Sequence, residues 1–122
     1  MDGNILFFLA LSLLLTHEMD AVRRSEWKVF PLLAQISDDT RAYKLFTTIH
    51  IPLYVVLLWG TFSYGATKNQ AFVYGIDSFC MIHVLLHLLF RCHPHYQFNN
   101  RFSWLLILGA GLAGAMDMLV RL

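Results

Sequence analysis

Residues Gln70–Phe90 read Q-A-F-V-Y-G-I-D-S-F-C-M-I-H-V-L-L-H-L-L-F. A run of about 20 predominantly apolar residues is what an α-helix needs to cross a bilayer. This one contains a single carboxylate, Asp77, and no Lys or Arg, and it places His83 and His87 four positions apart. Three further stretches of the same kind lie on either side of it: about Asn4 to Val22, Tyr43 to Tyr64, and Phe102 to Val120. The connections between the last three are short, Gly65 to Asn69 and Arg91 to Arg101, whereas Arg23 to Arg41 is longer and polar. Short connections imply antiparallel neighbours. The predicted fold is all-α: one integral membrane domain over residues 1–122, an up-and-down four-helix transmembrane bundle.

Composition agrees. The 122 residues are 57% hydrophobic and 14% charged, with mean hydropathy +0.55, against about 25% charged residues in an ordinary soluble domain. Disorder is excluded by 15% aromatic residues and few charges, and a disulfide scaffold by the presence of only two cysteines, Cys80 and Cys92. These two sit more than three helical turns apart and read as reduced thiols. A formal charge of +1 with no basic tract excludes a nucleic-acid partner. The first stretch resembles a signal-peptide core in length, but Asp2 stands where a basic n-region belongs and no A-x-A site follows, so it is read as a retained span.

Seven of the nine basic residues, Arg23, Arg24, Lys28, Arg41, Lys44, Arg91 and Arg101, lie in or beside the first and third connections. The positive-inside rule puts those connections in the cytoplasm and both termini outside it, in a multi-pass protein of the cell inner membrane. Trp27 and Val29–Leu33 then lie along the cytoplasmic interface, with Trp27 as an anchor.

The apolar run of the first stretch is too short to span alone, so Thr16, His17, Glu18 and Asp20 are drawn into the membrane. Ionisable groups there cost at least about 2.5 to 3.5 kcal/mol each at a helix centre, and each calls for a partner or a purpose. At about 1.5 Å per residue, His17, His50, His83 and His87 fall roughly 6 to 12 Å from the cytoplasmic boundary, on three different helices. His83 and His87 share one face at the spacing by which a helix offers two nitrogens to one metal, and Cys80 lies on the same stripe. His17 and Asp20 also share a face, and Asp20 can ligate, orient His17, or pair with Arg23 or Arg24. Pro52, two residues after His50, removes the donor to the Thr48 carbonyl, and a kink there opens room beside His50.

The candidate site is therefore His17, His50, His83 and His87 as metal ligands for Zn or Fe. Glu18 and Asp20 are the catalytic carboxylates that complete the shell or act as base towards water. A lone intramembrane histidine is commonly just an interhelical hydrogen-bond partner, and His50 by itself fits that description. The function this suggests is a membrane metalloenzyme acting on a lipid-like, apolar substrate. Two others compete: a carrier with haem b held by two of the same histidines, and a non-enzymatic transport or accessory subunit. His93 and His95 flank Pro94 in the third connection and read as interfacial loop residues. Asp77 and Asp117, at the opposite face, pair with Lys68 and Arg121 or with Tyr residues, or mark the outer end of a proton path. Gly109, Gly111 and Gly114 spell G-x-G-x-x-G, but inside an apolar helix with no preceding strand they are packing residues. Ala110 with Gly114 and Gly111 with Ala115 suit close helix contact, within the chain or with a second copy or partner subunit through the fourth helix.

The string Leu15-Thr16-His17-Glu18-Met19-Asp20-Ala21-Val22-Arg23-Arg24-Ser25-Glu26-Trp27 is followed by His50-Ile51-Pro52, His83-x-x-x-His87 and His93-Pro94-His95-Tyr96-x-Phe98. Together these resemble a family of small uncharacterised bacterial four-helix integral membrane proteins, along nearly the whole chain. The resemblance implies the architecture and the H-E-x-D start, and no reaction. Through His83 and His87 the chain is also loosely similar to histidine-box di-iron desaturases and hydroxylases, but it lacks their paired H-x-x-H-H boxes and is far shorter. His17-Glu18 is not the zinc-protease motif, because Ala21 stands where H-E-x-x-H needs its second histidine.

Overall fold

The computed structural model describes residues 4–63 and 69–122. It contains four long helices: α1 (Asn4–Arg23), α2 (Asp39–Phe62), α3 (Gln70–Phe90) and α4 (Arg101–Arg121). Two short 3-10 turns, Glu26–Lys28 and Leu33–Gln35, lie between α1 and α2. All four helices are long and apolar enough to cross a membrane. Asp2, Tyr64 and Lys68, on which parts of the sequence reading rest, lie outside the described residues.

Local chemistry sets where three of the helices begin. Asp38, Asn69 and Asn100 each accept a hydrogen bond from a backbone N–H three residues on, that of Arg41 (3.2 Å), Phe72 (3.2 Å) and Ser103 (2.8 Å). A side-chain oxygen at that position satisfies a donor the helix itself leaves open. The Asp38 cap starts α2 at Asp39, four residues before the first residue of the apolar run, because the polar first turn Asp39–Ala42 continues the helix outside the apolar span.

Lipid tails are as apolar as leucine, so helices in a bilayer associate through close packing rather than through the hydrophobic effect. The small residues of α4 supply that packing. A Cβ added to Gly114 would stand 3.1 Å from the Asp77 carbonyl oxygen, and one added to Gly109 would stand 3.2 Å from Leu13. Thus α4 is wedged between α1 and α3, and Ala110 and Ala113 are buried with Ala10, Leu14 and Cys80. The stripe of small residues is therefore taken up within the chain, and the outer face of α4 is Leu105, Leu108, Leu112 and Leu119. Near the other end of α2, Phe7, Leu11, Leu57 and Val73 form a cluster joining α1, α2 and α3. Gly60 lies against the ring of Phe72 there.

Ser25 turns the chain at the end of α1 with φ 53, the one non-glycine residue in the left-handed region among those described. The turn folds Glu26 and Trp27 back under the bundle. Trp27 is consequently buried rather than an interfacial anchor: it packs on Tyr43 and Phe46, and its Nε1 donates to Asp39 Oδ1 at 3.0 Å. Cys80 and Cys92 are free thiols.

Candidate metal centre

The C-terminal parts of α1 and α3 end at the same pole of the bundle, where α2 and α4 begin. His17 of α1 and His83 and His87 of α3 converge there. Nε2 of His87 lies 3.2 Å from Nε2 of His17 and 3.1 Å from Nε2 of His83. One ligand atom from each of the three falls within 4.8 Å of the others. The rings meet edge to face, with centroids 4.7 to 4.9 Å apart. A tetrahedral ion with bonds of about 2.0 to 2.1 Å to nitrogen sets its ligands about 3.3 to 3.4 Å apart, so two of the three separations are within about 0.3 Å of that geometry.

The outer partners suit the same arrangement. His87 Nδ1 lies 2.9 Å from the Tyr96 hydroxyl. With Nε2 as ligand, Nδ1–H donates to that oxygen, which is how ligating imidazoles are usually held. Phe98 packs its ring on His17 and His87. Among the described residues His17 Nδ1 is buried without a hydrogen-bond partner, and the ring's polar contact is on its Nε2 side.

Two residues that the sequence reading passed over complete the site. Glu26 brings Oε1 to 3.9 Å from His87 Nε2. Its carboxyl is pushed up to about 8, first by burial and then by the carboxylates of Glu18 and Asp20. Tyr96 is pushed up to about 12, by burial and then by Glu26, and stays a phenol at neutral pH. Glu26 lies in a polar connection and Tyr96 in an irregular loop, so no helical spacing marks either one. The left-handed Ser25 is what brings Glu26 in.

The remaining expected residues are placed beside the triad rather than in it. His50 is engaged at both nitrogens: Nδ1–H donates to the Phe46 carbonyl at 2.7 Å, and Nε2 lies 2.8 Å from Glu18 Oε2. Because Nδ1 carries a proton, the bond to Glu18 needs a second one, held either as the glutamic acid or as the imidazolium. The pair therefore shares one mobile proton. Asp20 takes the bond from Arg24 Nε at 3.3 Å and accepts from the Ser103 hydroxyl. Asn100 Nδ2 donates to the same hydroxyl at 2.8 Å, so Asp20 ties the end of α1 to the start of α4. His93 and His95 lie in the outer loop, where the His95 N–H donates to His93 Nδ1 at 3.2 Å.

A cavity of about 350 Å³ opens from this site between α2 and α3. Its inner wall carries Glu18, Glu26, His50, His83 and His87, and its outer wall is apolar, with Ile49, Leu53, Phe79 and Leu86 half-exposed at the rim. Ligand pockets of this size combine apolar walls with a few convergent polar groups. The arrangement can hold one cation on three neutral nitrogens and a neighbouring carboxylate, with a proton-sharing pair on the same cavity wall.

No curated protein and no solved structure matches the chain. A family model described as a family of unknown function (DUF6713) matches residues 3–122. The chain belongs to that family, whose match spans all four helices and every residue of the candidate metal centre.

Proposed function

We propose that this chain is a multi-pass protein of the cell inner membrane, with both termini outside the cytoplasm, and a small metalloenzyme. His17, His83 and His87 hold a divalent metal, Zn or Fe, and the substrate is lipid-like, entering between α2 and α3. The observation that carries this reading is the convergence of three Nε2 atoms at ligand spacing. The basic residues of the two connections at this pole support its cytoplasmic placement.

Bound there, a divalent cation supplies a Lewis acid. Glu26 stands as fourth ligand or as base towards water. Glu18, through the proton it shares with His50, donates to or accepts from a group held in the cavity, and Asp20 fixes the helix that carries His17. The apolar rim favours an alkyl or acyl chain over a hydrated solute. For haem b, two imidazoles would have to face each other across a macrocycle, whereas the triad rings crowd edge to face and His50 has both nitrogens engaged. A single ion fits this geometry better.

Titration of metal-stripped protein with Zn²⁺ or Fe²⁺, in detergent, tests the centre. The wild type takes up the ion and the His83→Ala, His87→Ala double variant does not; equal uptake by both overturns the metal reading. An alkyl hydroxamate, which joins a metal-binding head to an apolar tail, tests the cavity. It binds the metal-loaded wild type and is excluded by Leu53→Trp; equal binding to that variant overturns the lipid-like substrate.

A further inference from the structure

The half of the bundle opposite the histidines holds a second polar group, which the metal reading does not use. Asp77 on α3 is fully buried, and among the described residues neither of its carboxyl oxygens meets a hydrogen-bond partner. Gly114 of α4 presses against it, within reach of its backbone. Asp117 is one turn further along α4 on the same face and is also fully buried.

The charges around Asp77 are unequally shared. Arg121 Nε donates to Asp117 Oδ2 at 2.5 Å and its Nη2 to Oδ1 at 3.3 Å, so Asp117 has a two-point partner. Among the described residues, Asp117 and Arg121 of α4 are the charged groups that act on Asp77. On its own helix the neighbouring titratable groups are the buried Cys80 thiol and Tyr74, whose hydroxyl donates to the Arg121 carbonyl at 3.4 Å. From α1 and α2 the residues packed around the adjoining turn of α3 are the apolar Phe7, Leu11 and Leu57. Thr61, buried on α2, donates to its own helix at the Leu57 carbonyl.

A carboxylate at Asp77 would be a second buried negative charge beside Asp117, with the guanidinium already engaged and no donor among the described residues facing it. Buried acids in that situation hold a proton instead. We propose that Asp77 is a proton-binding site inside the bundle. It carries an exchangeable proton at neutral pH, released to and taken from water at the Arg121 end, with the Asp117–Arg121 pair as its fixed counter-group. The site is independent of the metal centre.

Infrared spectra of the full chain in lipid nanodiscs at neutral pH test this. The wild type shows a carboxylic-acid carbonyl band that moves in D₂O and is lost in Asp77→Asn, which is isosteric with the neutral acid. In Asp117→Asn the freed guanidinium turns to Asp77, and the band is lost there too. No band assignable to Asp77, or one that stays fixed in D₂O, overturns the proposal. Should a variant fail to fold, labelling of the wild type with the apolar reagent dicyclohexylcarbodiimide, which attacks protonated carboxyls, decides. An adduct mapped to Asp77 supports the site, and an adduct on Asp117 but not on Asp77 overturns it.

Discussion

Nε2 of His87 lies 3.2 Å from Nε2 of His17, seventy positions earlier in the chain, and the same atom lies 3.1 Å from His83. His87 is therefore the shared vertex of the triad, and its Nδ1 meets the Tyr96 hydroxyl. His87→Ala is expected to weaken metal binding more than the roughly 10- to 100-fold that loss of an outer partner costs. It is also expected to weaken it more than His83→Ala does. Isothermal titration of the metal-stripped variants measures both, and a smaller effect at His87 than at His83 would remove it from the centre of the site.

Tyr96→Phe isolates the outer partner. The ring stays and continues to pack on Phe98, while His87 Nδ1 loses its oxygen. Metal affinity is expected to fall by about 10- to 100-fold with little change in thermal stability of the metal-free protein. Unaltered affinity would mean that the hydroxyl does not hold the imidazole.

Glu26 gives the metal-free protein a specific pH dependence. Its carboxyl is pushed up to about 8, first by burial, from an ordinary value of 4.5. Between these two values the folded chain keeps a proton that the unfolded chain has released. Stability from this group is thus full below about 4.5, falls as pH rises through the window, and levels off above it. Unfolding midpoints measured from about pH 5 to 8 are expected to decline, and Glu26→Gln to flatten the decline. A cation bound beside Glu26 displaces the same proton, so metal affinity should rise over this range. An identical pH profile in Glu26→Gln would contradict the burial of this carboxyl.

Two glycines on neighbouring helices should respond in opposite directions. Gly114 faces the backbone of Asp77, with no flexible neighbour to yield, and Gly114→Val is expected to cost about 1 to 3 kcal/mol through overpacking. A Cβ added to Gly75 would meet nothing within 4 Å beyond its own stretch of helix, so Gly75→Ala should stabilise by up to about 1 kcal/mol through helix propensity. Denaturation in mild detergent reads both, and a tolerated Gly114→Val would refute close packing of α4 on α3.

The last three helices were legible because each is a mostly apolar run of spanning length, and the first because its shorter apolar run continues into Thr16–Asp20; the caps at Asp38, Asn69 and Asn100, which set where α2, α3 and α4 begin, came only with the structure. The triad was legible in its parts: His83 and His87 by helical spacing, and His17 by depth. That His50 stays outside the triad was not, since it lies at the same level and only the three-dimensional structure gives its Nε2 to Glu18. Glu26, Tyr96 and the burial of Trp27 depend on one backbone conformation at Ser25 and on the path of the 91–100 loop. Neither is written in hydrophobic periodicity. The small residues of α4 were recognisable as a packing stripe, but not which helices they meet.

The most direct measurement is elemental analysis with an optical spectrum of the protein purified in mild detergent, alongside His17→Ala, His83→Ala and His87→Ala. The expected result is one Zn or Fe per wild-type chain, no Soret band, and loss of the metal in each variant. A wild type free of metal, or metal retained in all three variants, would contradict the metal centre.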